Sequence, residues 1–398
     1  MPDAGDAEGP ACRIRHLDLG SLADADPAAP GQFLVFWLGD WPVGAAFLRG
    51  PDDVPAGMTE IAGRCVAPAR RAAAGLAIEA AGRPHDGRAL SVVICTRDRP
   101  EDLARCLACL PRQSRAPDQV VVVDNASRDG ARVREVVTAA GADYVREDRP
   151  GLDIARNRGV AASRGDIIAF TDDDVRLHPR WLERLAAAFD EEHILAVTGL
   201  VLPAELETAA QCHFEAHWSF ARGFDRIDFG PDFFASDVAE GCPAWEIGAG
   251  ASMAFRRQVF DRIGLFDERL DVGAAGCSGD SEFWHRVLTH GGTCRYEPAA
   301  VAFHHHRRDF PGLARQIRAY MRGHAAALMV QYERSGNAGN RRRALLTMPA
   351  WYAGRLLRRF TQGASERDRL LWQEIGGFAS GLLFYWRTPR PEGGSRGG

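Results

Sequence analysis

Three consecutive aspartates, Asp172, Asp173 and Asp174, follow the apolar run Ile167-Ile-Ala-Phe-Thr171. Carboxylates packed this closely repel one another, so ionising all three together is costly. A divalent cation removes that cost, because hard ions take carboxylate oxygens and then bridge to phosphate oxygens. The competing readings are a solvated acidic turn, or Asp174 near the start of a helix running from Trp181 to Phe189; a cap needs one such residue, not three. Two other apolar runs end in polar groups in the same way, Thr96-Arg97-Asp98-Arg99 after Leu90–Cys95 and Asp124-Asn125 after Gln119–Val123. Further on, His304-His305-His306 offers imidazoles. Neighbours in a strand point to opposite faces, so all three cannot share one ion, and His306 falls on the face of His304. Carboxylates with one imidazole suit Mn2+ or Mg2+ better than zinc.

The elements that must position these groups are legible in the spacing. Leu90–Cys95, Gln119–Asp124, a weaker run at Asp143–Arg146 and Ile167–Thr171 read as strands. They alternate with helical stretches at Pro100–Leu110, Ala131–Ala140 and Leu152–Ser163, which predicts a parallel sheet covered on both faces. Ligands bind such sheets beyond the carboxyl ends of the strands. All three polar groups then share one edge of an open α/β domain. Upstream, Gln32–Leu38 and Val43–Leu48 flank a Gly39-Asp40 turn signal and read as a hairpin, and Ala67–Ala81 reads as an alanine-rich helix. Pro203–Glu246 reads as a long irregular stretch, a lid or binding surface. After Phe310 the chain is mostly helical.

Composition excludes whole classes. The chain has 398 residues, enough for two or three domains. Its 49 basic residues are all arginine, which removes a Walker-type phosphate loop and any Schiff-base or pyridoxal enzyme. The net charge of −4 supplies no field to recruit nucleic acid. Nine cysteines spread over so long a chain do not form a disulfide framework, and the Cys106/Cys109 pair follows the apolar periodicity of a helix rather than a redox motif. Asp3, Asp6 and Glu8 precede any apolar stretch, unlike a secretory signal, and Ile375–Trp386 is shorter than the about 20 residues a membrane span needs. The expected setting is reducing and cytoplasmic.

Val92-Val-Ile-Cys-Thr-Arg97, Val122-Val-Asp-Asn125, Ala155-Arg-Asn-Arg-Gly159 and Thr171-Asp-Asp-Asp174 resemble the successive signatures of inverting family 2 glycosyltransferases of the GT-A fold. The likeness continues through Gly250-Ala-Ser-Met-Ala-Phe-Arg-Arg257, Phe266-Asp-Glu-Arg-Leu270, Gly279-Asp-Ser-Glu282 and Tyr296-Glu-Pro-Ala-Ala-Val-Ala-Phe-His304. The resemblance implies an open, mostly parallel sheet flanked by helices and a nucleotide-diphosphate sugar as donor. It implies that Thr96 and Arg97 line the nucleotide pocket, that Asp124 accepts hydrogen bonds from the base, and that Arg156 contacts the nucleotide. Asp172 would sit near the ribose or the metal, Asp174 and His304 would ligate Mn2+ or Mg2+, and Asp173 would support them. Asp280 aligns with the catalytic base, although Gly279 stands where a glutamate is common and Asp153 where a small residue is usual. A positioned carboxylate that takes the acceptor proton is worth roughly 10²- to 10⁴-fold. One such carboxylate fits a single displacement with inversion. The plain alternative for Asp280 is an N-cap of the following helix.

The expected organisation is an N-terminal α+β region of unknown role (1–85), a GT-A domain (88–308), a helical C-terminal extension (309–388) and a disordered tail (389–398). Trp218, Phe220, Trp245 and Trp284 are candidates for sugar stacking or for core, with Trp284 read as core. Residues 341–360 carry six arginines and no acid between apolar side chains. The favoured reading is a solvated helical face; the alternative is a peripheral contact with the inner face of a membrane. Pro349 should kink this helix or split it. Acceptors consistent with the pattern are a growing glycan, a lipid-linked glycan or a small molecule, in polysaccharide or glycoconjugate biosynthesis. Rival functions are a non-catalytic nucleotide-sugar-binding module and a nucleotidylyltransferase.

Overall fold

The computed structural model describes residues 11–24, 28–53, 58–67, 87–236 and 239–388. The expected Ala67–Ala81 helix falls almost wholly outside these residues, as do the first ten residues and the tail 389–398.

Two sheets form the framework. The smaller holds β1 (Arg13–Asp18), β2 (Gln32–Leu38) and β3 (Trp41–Leu48), with β1 parallel to β2 and β2 antiparallel to β3. The expected hairpin is there, turning at Gly39, whose φ of 58° suits glycine. The larger sheet has nine strands. These are β4 (Leu90–Thr96), β5 (Gln119–Asn125), β6 (Asp143–Glu147), β7 (Ile167–Asp172), β8 (Val175–Leu177), β9 (Ile194–Pro203), β10 (Ile227–Phe229), β11 (Ser252–Arg256) and β12 (Thr293–His304). Their order is β10-β12-β9-β11-β7-β4-β5-β6, with β8 paired to the end of β12.

Strands β4, β5, β6 and β7 run parallel, and the register sets Thr96 beside Asp124 and Cys95 beside Asp172. β11 is antiparallel to both β7 and β9, and β12 is parallel to β9. The carboxyl ends of β4, β5, β7 and β12 and the amino end of β11 therefore meet at one edge. Antiparallel β8 pairs Val175 with His304, which brings Asp174 next to that histidine.

Val92, Val93, Ile94, Val121, Val122 and Val123 are fully buried, as the continuous apolar runs predict for strands covered on both faces. The helix Leu152–Ala162 lies close on this sheet through Gly159, where a Cβ would come 2.4 Å from Val93 Cγ1. The small sheet packs by Phe33, Val35 and Trp37 into the same core. Trp37 stacks on His178 at 5.5 Å between centroids. Arg184 donates to the carbonyl and the carboxylate of Asp40 at 2.9 and 2.7 Å.

Two expectations change. Asp174 caps no helix, because β8 follows it and the next helix, Trp181–Ala187, begins after Arg180. Pro203–Glu246 is more regular than its composition suggests. It holds the helix Ala209–Trp218, started by a capping box in which Thr208 and Gln211 satisfy each other's backbone N–H groups. Residues 341–360 are divided beside Pro349, as expected: a helix ends at Arg342, a π-helical turn spans Arg343–Thr347, and Pro349 sits in the first turn of Met348–Gln362. Among the described residues no helix is long and apolar enough to cross a membrane.

Candidate active site

A cavity of about 940 Å³ opens at the edge where these strand ends meet. One wall comes from the sheet, through Thr96, Arg97, Asn125 and Asp172–Asp174. A second comes from Gly248–Ala251 and the segment Asp271–Ser281. The third is the long helix Phe310–Ser335, which contributes Arg315, Tyr320 and His324. The C-terminal part is thus a wall of the cavity as well as an extension of the fold.

The aspartates divide their work. Asp173 is fully engaged by protein, accepting from the Thr96 hydroxyl at 2.7 Å and from Arg99 Nη1 at 3.1 Å. Asp174 accepts from the same Arg99 nitrogen through Oδ2 at 2.9 Å, which leaves Oδ1 facing His304 Nε2 at 3.5 Å. Burial, then the nearby Asp174 carboxylate, pushes Asp172 up to about 7 and Asp173 up to about 6. Burial also pushes Asp174 up, but His304, Arg99 and Arg307 outweigh it and hold the group below the ordinary value.

Asp172, Asp174 and His304 each offer one ligand atom within 4.8 Å of the others. The donor set of two carboxylates and one imidazole, short of positive charge at Asp172, fits a divalent cation such as Mn2+ or Mg2+. A hydrogen-bond chain orients the imidazole. His304 Nδ1 meets His306 Nδ1 at 3.0 Å, and His306 Nε2 meets Glu215 Oε2 at 3.2 Å. When His306 donates to Glu215 and accepts from His304, the Nε2 lone pair of His304 is directed at the cluster.

Asp280 lies in the first turn of the helix Gly279–Thr289 and is not its cap; Ser278, at φ 75°, precedes the helix. Its Oδ2 accepts from Gly250 N at 2.9 Å, and Oδ1 accepts from Ser281 N at 2.6 Å. Burial, then the charge of Asp271, raises its pKa above the usual carboxylate value. Arg156 is buried and donates through Nη1 to Asp153 at 2.9 Å and to Asp271 at 2.6 Å. It lines the cavity, but as the centre of a carboxylate cluster. Asp271, at φ 61°, is held in the left-handed region by its own loop, where Gly276 N donates to its carbonyl at 2.6 Å.

The structure brings Thr96, Arg97, Arg156, Asp172, Asp173, Asp174, Asp280 and His304 to this cavity. Asp124 stands apart. It is fully buried, and Ser127 N, Tyr144 Oη and Arg146 Nη1 occupy its oxygens at 3.0, 2.7 and 2.7 Å. Burial raises its pKa, but those hydrogen bonds win and hold it below the usual value. Its neighbour Asn125 reaches the cavity instead. Trp284 is core, whereas Trp218, Phe220 and Trp245 line the cavity. Cys106 packs in the core, and no disulfide joins the cysteines among the described residues.

Sequence reasoning gave no role to Arg99, Asp271, Glu215 or the wall helix. Arg99 was within reach, as the last residue of the quoted run Thr96-Arg97-Asp98-Arg99; the others are joined to the site only by tertiary contacts.

Residues 91–264 match the family model described as glycosyl transferase family 2. Glycosyltransferase AglE from Haloferax volcanii is 24% identical over 211 residues, 51% of this chain and 62% of that protein. Pre-mycofactocin glycosyltransferase from Mycobacterium tuberculosis is 30% identical over 260 residues, 63% of this chain and 50% of that protein. The chain thus spans between half and two thirds of the length of these relatives. Mannosyltransferase PcManGT from Pyrobaculum calidifontis, solved with GDP-Man and Mn2+, has a TM-score of 0.51 at 17% identity, over 80% of this chain and 94% of that one. The shared architecture is the GT-A fold, an open sheet flanked by helices.

Proposed function

We propose, for a chain whose residues 91–264 match the glycosyl transferase family 2 model, that it moves a sugar from a nucleoside-diphosphate donor to an acceptor hydroxyl with inversion. The observation that carries this reading is the joint position of Asp280 and the Asp172–Asp174–His304 cluster on one cavity. A bound Mn2+ or Mg2+, held by Asp172, Asp174 and His304, would supply positive charge against the leaving diphosphate.

The protein's own residues would do the rest. Asp280 would take the proton of the acceptor hydroxyl, a role that requires the ionised carboxylate. The Gly250 and Ser281 N–H groups keep that carboxylate pointed into the cavity. Arg156 would offset part of the negative charge of Asp153, Asp271, Asp172 and Asp280, so that Asp280 ionises at all. Arg97 and Asn125 stand at the cavity wall, where a nucleotide would lie. Trp218, Phe220 and Trp245 offer aromatic faces to a sugar ring.

A non-catalytic binding module would not need a carboxylate held like Asp280, and a nucleotidylyltransferase would need a basic phosphate loop after β4, where Thr96-Arg-Asp-Arg-Pro100 stands instead. The test is release of nucleoside diphosphate from a panel of nucleotide sugars with Mn2+ and candidate acceptors. No release with any donor, under conditions where a donor binds, would leave only the binding module.

A second reading concerns the acceptor. Leu346, Leu357 and Phe360 are 64, 64 and 83% exposed beside the arginines of 341–360, and Trp372 and Trp386 are exposed on the neighbouring helix. That surface would suit contact with an anionic membrane and so a lipid-linked acceptor. Flotation with vesicles in which binding ignored anionic lipid content would dismiss it.

A further inference from the structure

A second group of metal-ligating side chains lies apart from the aspartate edge. His213 and His217 sit one turn apart on the helix Ala209–Trp218, and Glu366 faces them from the turn Glu366–Leu370. The capping box at Thr208 starts this helix, and the i, i+4 spacing then puts both imidazoles on one face. Their ring centroids are 4.7 Å apart.

His213 Nδ1 is 3.9 Å from Glu366 Oε1, and His217 Nε2 is 4.0 Å from Glu366 Oε2. One ligand atom from each of the three lies within 4.8 Å of the others. These separations are too long for hydrogen bonds. Donors about 2.0–2.1 Å from a common tetrahedral ion would stand roughly 3.3 Å apart, so each glutamate contact has less than about 1 Å to close. Glu366 is exposed and free to move that far.

An independent observation points to a missing ligand. His213 is buried at 4% exposure; its Nδ1 is turned to Glu366, and its other ring nitrogen, Nε2, has no hydrogen-bond partner. Nε2 of His217, the atom facing Glu366, is also buried and unpartnered. Such a nitrogen ordinarily costs about 1–3 kcal/mol.

The surrounding charge narrows the choice of ion. Arg49 lies 3.9 Å from Glu366, and Arg367 and Arg369 act on the two imidazoles. A hard cation held by charge alone would be repelled. An ion bonded through imidazole nitrogen is favoured, and two histidines with one carboxylate suit zinc.

We propose that His213, His217 and Glu366 bind one divalent transition-metal ion, Zn2+ by the chemistry of the donors, at a site sharing no ligand with Asp172, Asp174 and His304. His217 lines the cavity and Glu366 belongs to the C-terminal part, so the ion would pin that part to the cavity wall. The inference does not depend on the proposed transferase activity.

The test measures Zn2+ retained by the full chain after dialysis, together with the melting temperature, in the wild type, His217→Gln, Glu366→Gln and Asp174→Asn. The expected result is one retained Zn2+ in the wild type and in Asp174→Asn, with a Zn2+-dependent rise in melting temperature. Affinity falls at least tenfold in His217→Gln and Glu366→Gln. Glu366→Gln changes an exposed side chain, so it keeps the test valid should His217→Gln fold poorly. Retention in both of these variants equal to the wild type, or loss of the ion in Asp174→Asn alone, would overturn the proposal.

Discussion

Asp153 and Gly279 occupy one space between them: a Cβ at position 279 would lie 1.9 Å from Asp153 Oδ2. Gly279 opens the helix that carries Asp280, and the other oxygen of Asp153, Oδ1, accepts from Arg156 Nη1 at 2.9 Å. The aspartate at 153 and the glycine at 279 therefore share one pocket. Burial, and then the charge of Asp271, drives the Asp153 pKa well up, and its Oδ2 has no hydrogen-bond partner.

Coupling between these positions follows. Gly279→Ala alone forces the methyl into Asp153 and should cost about 1–3 kcal/mol. Asp153→Ser opens that space, so the double variant should recover part of the loss, with a coupling energy of at least about 0.5 kcal/mol. Urea melts of the four proteins measure this, and strictly additive losses would contradict the shared pocket.

Replacing Asp280 by Asn keeps the shape and removes the proton acceptor. Turnover should fall roughly 10²- to 10⁴-fold, while nucleotide-sugar affinity with Mn2+ stays near the wild-type value. Undiminished turnover would remove Asp280 as the base.

Two glycines separate a site effect from a folding effect. A Cβ at Gly250 would come 2.9 Å from both Asp280 Oδ2 and Arg156 Nη2, so Gly250→Ala should lower turnover at least tenfold through Asp280. A Cβ at Gly159 would meet Val93 in the core, so Gly159→Ala should cost about 1–3 kcal/mol of stability. Equal melting and equal activity losses in the two variants would refute the distinction.

The Glu215–His306–His304 chain should tune metal binding from a distance. Glu215→Gln replaces the charged acceptor that fixes the tautomer by a neutral amide able to donate as well as accept, and Mn2+ affinity should drop roughly 10- to 100-fold. Titration calorimetry with Mn2+ checks this, with Ser219, whose hydroxyl donates to Glu215 at 2.7 Å, as a milder control when changed to Ala.

Two pH effects have opposite origins. The raised pKa of Asp280 means that the base becomes protonated above the usual carboxylate range, so activity should fall on acidification with a midpoint above that range. Asp271→Asn removes a like charge and should move this limb to lower pH. Buried histidines act on stability against the raised carboxylates Asp172 and Asp173, whose protonation favours the fold as pH falls. His285 and His324 stay neutral in the fold to about pH 4, because burial and a nearby arginine disfavour the cation, whereas the unfolded chain protonates near 6.5. Their contribution is complete above 6.5 and is lost as pH falls towards 4, by about 1.4 kcal/mol per group per pH unit at most. A His285→Gln variant whose melting temperature falls between pH 7 and 4.5 as steeply as the wild type's would disprove it.

Much of the site was readable because a parallel sheet converts sequence order into position. Each β-branched run ends at the same edge, so Thr96 and Asp172 had to meet once the strands were recognised, and His304 joined them at the end of β12. The long wall helix and the capping box at Thr208 were also written locally, although Pro203–Glu246 reads as irregular because its polar and aromatic residues mask the periodicity. What escaped was pairing across distance. Nothing near Asp124 in the chain announces Tyr144 and Arg146, which turn it from a ligand-facing carboxylate into a buried, fully bonded one.

The sequence by itself determined the strand order of chemistry: which carboxylates stand at strand ends, and that a lysine-free chain must meet phosphate with arginine and metal. Only the tertiary structure decided how those charges are shared. Arg99 joins Asp173 to Asp174, Arg156 joins Asp153 to Asp271, and Glu366 comes to lie against His213 and His217. Charge interactions act through space and depend on burial, and neither the distance between two remote residues nor the water around them is encoded in local spacing.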